Sequence, residues 1–211
     1  WKASAKRPCN THHAMNNIRM KIMSNAKFSA TKRGGEQTEI GEIPEGWDLR
    51  KIGSLGRVVT GKTPPTKDAN NFGTGYPFIT PRDMYGQKYV RTTERYLTEK
   101  GKGVVKSCLL PPHTVCVSCI GSAMGKVVMT DRQSITNQQL NSLISDHADP
   151  QFIYYGIINI TNKLRDAAFH STAVHILNKS AFSQFKIPIP KESAEQRAIA
   201  KILSDIIRRI N

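Results

Sequence analysis

Apolar positions along this chain change rhythm twice, and each rhythm predicts a different kind of element. Between Ile40 and about Asp149 they fall in short runs punctuated by Gly and Pro. Ile43-Pro-Glu-Gly-Trp47 predicts a turn carrying an anchoring aromatic. Val58-Val59-Thr60, Tyr89-Val90 and Tyr96-Leu97 read as short strands or turns, and Phe72-Gly-Thr-Gly-Tyr-Pro-Phe-Ile-Thr-Pro81 reads as a glycine-rich turn before another. Val115-Cys-Val-Ser-Cys-Ile120 and Lys126-Val-Val-Met129 predict two strands around the small-residue turn Gly121 to Gly125. Past Asp149 the spacing turns helical. Asp149-Pro150 can cap a helix with proline at its first position, and Phe152, Tyr155, Ile158 and Leu164 continue it over 151–167. Ile187-Pro-Ile-Pro190 is an extended exit with both isoleucines on one side. Ser193-Ala-Glu-Gln196 then has the pattern of a capping box. Ile199, Ile202, Leu203, Ile206, Ile207 and Ile210 follow i, i+3, i+4, i+7, i+8, i+11, one face of a helix. That stripe suits either packing on its own domain or one strand of a coiled coil. The prolines ahead of it, which would turn the chain outward, favour a partner helix.

These elements predict an α/β (α+β) fold: a mixed, mainly β domain over 36–190 and the start of a spacer or dimerisation helix over 191–211. Residues 1–35 have only scattered apolar positions and are set apart as a basic N-terminal arm or a processing or cloning product. No apolar run approaches the roughly 18 residues of a membrane span, so a cytoplasmic location without membrane partners is expected. Four cysteines, Cys9, Cys108, Cys116 and Cys119, suit a reducing compartment better than a disulfide framework.

Charge adds a partner class without deciding it. The net charge is +15, yet eight of the 31 Lys/Arg and none of the 16 Asp/Glu lie in residues 1–35, leaving 23 basic against 16 acidic, or +7, beyond. A basic arm can add phosphate affinity or be an ordinary solvated tail.

Two short patterns point toward enzymatic or metal-binding chemistry. Gly56-Arg-Val-Val-Thr-Gly61-Lys62-Thr63 matches G-x-x-x-x-G-K-[ST], the phosphate loop of a nucleotide-binding enzyme. A working loop of that type opens a helix, whereas Pro64-Pro65 comes next here and Val58 to Thr60 reads as strand. His113, Cys116 and Cys119, with Cys108 upstream, offer half of a zinc site, which would make the chain a small zinc-containing nucleic-acid binder. The second ligand pair is missing, and residues three apart on a strand face opposite ways. Buried structural cysteine fits better, so neither a metal nor a cofactor is expected.

Several stretches in order carry a family likeness: Ile43-Pro-Glu-Gly-Trp47, Gly61-Lys-Thr-Pro64, Pro77-Phe-Ile-Thr-Pro-Arg-Asp-Met84, Ser118-Cys-Ile-Gly121, Gly125-Lys126-Val127, Thr136-Asn-Gln-Gln139, Ile187-Pro-Ile-Pro190 and Glu195-Gln-Arg-Ala-Ile-Ala200. With them, about four fifths of the chain resembles one half of the DNA-specificity subunit of a type I restriction-modification system. The resemblance implies a target-recognition domain that reads bases of a bipartite site in double-stranded DNA. It also implies a helix that docks DNA adenine methyltransferase (M) subunits, with a restriction (R) subunit in the same assembly. Catalysis would lie in those partners, and no N-P-P-Y-type methyltransferase motif occurs here. A full-length member carries two recognition domains and two helices. One of each implies a fragment, or a half-size subunit that forms a homodimer through the C-terminal helix and reads a palindromic split site.

Within that frame the chemistry of contact selects candidates. Asn and Gln can pair bidentately with adenine, Arg and Lys with guanine, while Lys, Ser and Thr suit phosphates. The candidates are Lys62 and Thr63 on the proline-stiffened turn, Arg82 after the Phe78-Ile79-Thr80 strand, Ser122 and Lys126 at the glycine turn, Gln138 in the amide cluster, and Ser171, Thr172 and His175 in a late loop. The amides Asn137, Gln138, Gln139 and Asn141 equally suit a structural network, and both readings stay open.

Overall fold

The structure, a computed structural model, describes residues 35–38, 40–171 and 175–210; all but the last residue of the expected basic arm, and Thr172, lie outside them. After the hairpin β1 (Gly35–Thr38) and β2 (Gly41–Pro44), the body is built on two sheets. One has five strands in the order β4 (Gly56–Thr60), β12 (Leu140–Ser145), β9 (Val115–Ser118), β10 (Val127–Thr130), β6 (Tyr89–Val90). The other has four: β7 (Tyr96–Leu97), β5 (Phe72–Ile79), β11 (Ser134–Thr136), β8 (Leu109–Leu110). The pairs β10·β6 and β11·β5 are parallel and the remaining pairs antiparallel, so the sheets are mixed, as the punctuation predicted.

The five-stranded sheet is buried on both faces, which explains why Val115, Cys116 and Val117 are apolar in succession instead of alternating with polar residues. Val115, Val117, Val127, Met129, Val58 and Leu143 point to one core, shared with the helices. Cys116, Val128, Val59 and Leu140 point to a second core, closed by Phe78, Ile79, Leu97, Leu110 and Ile135 of the four-stranded sheet. The helices are α1 (Glu99–Val104), α2 (Pro150–Asn159), α3 (Thr161–Ser171), α4 (Lys179–Gln184) and α5 (Ser193–Ile210). A separate pair, β3 (Trp47–Lys51) with β13 (Lys186–Pro190), ties the start of the domain to its end. Among the described residues β13 has β3 as its one sheet neighbour, and a strand so placed tolerates Pro188 and Pro190.

Several expectations are corrected. The helix over 151–167 is two helices: it starts as expected, with the Asp149 side chain accepting from Phe152 N, but leaves helical geometry at Ile160 (φ −100°, ψ 6°). The Thr161 hydroxyl takes the Ile158 carbonyl there, while Leu164 N still donates to Ile160 O, so the apolar face continues across the break. The run from Phe72 is strand throughout, with a bulge between Phe72 and Tyr76 rather than a preceding turn. Two short helices escaped the pattern. Gly101 and Gly103 disguise α1, which Thr98 caps by accepting from Gly101 N; α4 is capped by Asn178, which accepts from Ala181 N.

The capping box at Ser193 does not form. Gln196 is buried and spans two neighbours instead, its Oε1 accepting from Asp149 N at 2.8 Å and its Nε2 donating to Pro190 O at 2.8 Å. Glu195 accepts from Trp47 Nε1 at 3.0 Å, and the Trp47 ring meets Phe152 edge-on at 5.8 Å. These contacts lay α5 back on α2, so the prolines do not throw it outward. The stripe divides accordingly. Ile199 is buried and Leu203 and Ile207 pack on the first core, whereas Ile202 is 56 % and Ile206 36 % exposed. Ile199, Leu203 and Ile207 thus face the first core; the Ile210 side chain lies outside the described part.

Candidate nucleic-acid interface

Strand registers bring the candidate loops to one end of the sheets. The end of β4 meets the start of β12 (Thr60↔Asn141), and the end of β9 meets the same start (Ser118↔Leu140). In the other sheet β5 and β11 finish side by side (Ile79↔Thr136). The segments leaving these strands, 61–65, 80–83, 119–126 and 137–139, are therefore neighbours. Backbone bonds tie them: Gly61 N to Leu140 O, Asn137 N to Ile79 O and Cys119 N to Gln139 O. The late loop joins through Gly121 N to His175 O and Leu177 N to Cys119 O.

Gly61 shows why this junction needs a residue without a side chain. A Cβ there would run into the backbone carbonyls of Thr136 and Asn137, at the point where the two sheets approach. The phosphate-loop pattern is thus filled by protein backbone, and the chain continues beyond Thr63 as coil, not as a helix. The zinc pattern fails on geometry too. Cys116 and Cys119 face different cores, and burial pushes their thiols up to about 12 and about 11.

The candidate side chains separate by what they touch. Lys62, Arg82 and Ser122 are exposed and make no side-chain hydrogen bond or ion pair among the described residues. The Thr63 hydroxyl donates to Gln138 Oε1 at 2.7 Å, which orients the exposed Gln138 amide and leaves its NH₂ outward. Lys126 is half-buried and donates through Nζ to Pro81 O at 3.0 Å, a strut between the glycine turn and the Arg82 loop. His175 has φ +47°, stacks its ring 4.3 Å from Phe169, and buries Nδ1 without a partner among the described residues. Ser171 closes α3, and its side chain, like Thr172, lies outside the described part.

The amide cluster divides in the same way. Asn137 is buried and holds Gln139 twice, its Oδ1 accepting from Gln139 N at 3.1 Å and its Nδ2 donating to Gln139 Oε1 at 2.9 Å. Asn141 accepts from the Thr60 hydroxyl at 2.6 Å and donates to Leu177 O at 3.0 Å. These two bind neighbouring segments together; among the described residues the NH₂ groups of Gln138 and Gln139 have no partner.

Sequence reasoning missed one region. A cleft of about 500 Å³ between the 80–83 and 137–139 segments is walled on its third side by Glu94 and Arg95, ahead of β7. Asp83 braces it from below: its buried carboxylate accepts from Thr80 N, Thr80 Oγ1 and Glu94 N, each at 2.8 Å. Arg95 lies over the Phe72 ring at 3.9 Å and 5.9 Å from that of Phe78. The aromatic residues were visible in the sequence, but their partner is more than fifteen residues away. Arg165 was missed also: its Nε donates to Met124 O at 3.0 Å and, with Ser118, fixes the glycine turn.

Comparison with known proteins assigns this architecture. Residues 44–211 match the family model described as type I restriction modification DNA specificity domain. The chain is 35% identical over 153 residues to the HindI specificity subunit of Haemophilus influenzae, covering 71% of this chain and 33% of that protein. It is 33% identical over 177 residues to the MjaIX specificity subunit of Methanocaldococcus jannaschii, covering 80% and 40%. Thus it spans well under half the length of these curated relatives. The fold is shared with the HsdS subunit from Thermoanaerobacter tengcongensis, at a TM-score of 0.65 and 17% identity over 94% of this chain and 44% of that one. A chain from a structure of the type I R-M system gives a TM-score of 0.69 at 16% identity, over 95% and 47%. From the matched length and these relatives, the chain belongs to the type I restriction-modification DNA specificity domain family.

Proposed function

We propose that this chain is one non-catalytic DNA-recognition unit of a type I specificity subunit, reading one part of a bipartite site in double-stranded DNA. The observation that carries the reading is the convergence of loops bearing Lys62, Arg82, Ser122 and Gln138 at one end of the sheets; among the described residues the first three side chains have no hydrogen bond or ion pair, and Gln138 is engaged through its carbonyl oxygen alone. Cations free of intramolecular partners can neutralise phosphates, while amides and guanidinium groups can read base edges. Thr63 and Lys126 act as supports for this surface. His175 joins it through the late loop, while Ser171 and Thr172 are proposed as contacts on their chemistry alone.

Partner docking belongs to the other end. Ile202 and Ile206 form an outward apolar strip on α5, suited to a helix of a second copy or of a methyltransferase (M) subunit, with a restriction (R) subunit recruited to that assembly. The relatives' names support the restriction-modification setting. A duplex-binding titration at several salt concentrations tests the reading, together with co-purification of a methyltransferase subunit. The expected result is sequence-selective binding whose log affinity falls linearly with log salt. A folded protein that binds neither duplex DNA nor a methyltransferase subunit would overturn it.

A further inference from the structure

We infer that Arg95, held in the cleft ahead of β7, is a specificity-determining residue that reads a guanine. The assignment rests on the DNA-recognition reading above and adds to it a residue outside the motifs that carry the family resemblance.

The guanidinium is held by its face and free at its edge. Phe72 supports the plane at 3.9 Å, and the backbone beneath is pinned by Phe78 N and Thr93 Oγ1, which both donate to Arg95 O, at 3.1 and 2.6 Å. No hydrogen bond or ion pair engages its N–H groups among the described residues, and the side chain is exposed. Stacking pre-orders a planar fork that would otherwise lose rotamer freedom on binding. Guanine presents the matching pair of acceptors, N7 and O6, in the major groove.

The surroundings favour a base over a phosphate. Arg82 and Arg95 share the cleft with the carboxylates of Asp83 and Glu94, so the local charge is close to balanced. A backbone phosphate would be repelled by the same carboxylates, whereas a neutral base edge is not. Glu94, whose carboxylate has no partner among the described residues, adds an acceptor next to the arginine, the group that the N4 amino of a paired cytosine needs. Gln139, its carbonyl oxygen already taken by Asn137, offers NH₂ from the opposite wall. One arginine fork, one carboxylate and one amide donor within a cleft of about 500 Å³ make a polar reading site for a G·C pair.

The test is selection of bound duplexes from a randomised library by the full specificity protein, followed by sequencing, for wild type, Arg95→Ala, Arg95→Gln and Phe72→Leu. Wild type is expected to return a motif containing an invariant G·C pair. Arg95→Ala and Arg95→Gln should erase preference at one such pair, by roughly 5- to 150-fold, while the other positions and the salt slope hold. Phe72→Leu, which keeps the arginine but removes its platform, should weaken the same position in part. If the arginine variants bind all sequences more weakly by one factor with a salt slope reduced by about one, Arg95 is a phosphate contact and the inference fails. An unchanged motif overturns it as well. Wild type that selects no DNA would instead reject the recognition reading, and matching thermal transitions for Arg95→Gln separate loss of reading from loss of fold.

Discussion

Cys116 and Cys119 lie three residues apart, one within β9 and one just past its end, yet serve different cores. Burial disfavours each thiolate, raising the thiols from an ordinary 9.0 to about 12 and about 11. Both therefore stay protonated at pH 8. Native protein should leave these two cysteines unlabelled by a thiol reagent at that pH, and urea should release them; rapid native labelling at either position, read by mass spectrometry, would contradict the packing. Because each folded value lies above the unfolded one, the contribution to stability is whole below about pH 9 and erodes as the pH climbs beyond. Alternation along a strand made the opposite facing of these residues legible from spacing alone. The division of the amides was not legible, because Asn137 and Gln138 are chemically alike and only their partners distinguish them.

At the scale of an element, α5 carries two different faces on one apolar stripe. Ile199→Ala should cost about 2–5 kcal/mol in urea unfolding, since it removes buried volume from the first core. Ile202→Ala, at a position 56 % exposed, should change monomer stability by less than about 0.5 kcal/mol while weakening association with a partner helix, measured by sedimentation. Equal losses of stability in both variants would contradict the orientation of the helix. The same junction holds Lys88, whose Nζ donates to Gln151 at 2.7 Å and Ser204 at 3.0 Å and lies 4.7 Å from the Tyr155 ring centroid. Burial lowers its pKa to about 8, opposed by the charge of Asp149. Because this is below the ordinary 10.5, the unfolded chain holds the extra proton between about pH 8 and 10.5. Stability from Lys88 thus grows as pH rises through that window and is lost as pH falls through 8. Wild type compared with Lys88→Met should gain relative stability between pH 7 and pH 9.5. A pH-independent difference would show that the lysine is not held near pH 8.

For the whole molecule, Gly61 is where the sheets close on one another. Gly61→Ala would press a methyl group on the carbonyls of Thr136 and Asn137, parting the 61–65 and 137–139 segments. Such overpacking should cost about 1–3 kcal/mol and also weaken DNA binding, because Lys62, Thr63 and Gln138 depend on that closure. Full stability with wild-type binding would mean that the loops are not coupled in this way. The phosphate-loop match, set aside from the sequence because Pro64-Pro65 follows it, thus has a different cause: its second glycine must approach the backbone of a neighbouring strand end closely.

What the sequence by itself determined is local and periodic. Strand positions, the proline-started helix at 150, the amphipathic face of α5 and the ordered family motifs all depend on residues within a few positions of each other, where steric and hydrophobic preferences act directly. The tertiary structure alone decided how these pieces meet. It paired β3 with β13, turned Gln196 from a cap into a bridge, folded half of α5 inward, and placed Arg95 beside Phe72 and across from Gln139. Each depends on strand register between residues distant along the chain. A one-residue slip would change every one of those neighbours without altering the local pattern that predicts the strands.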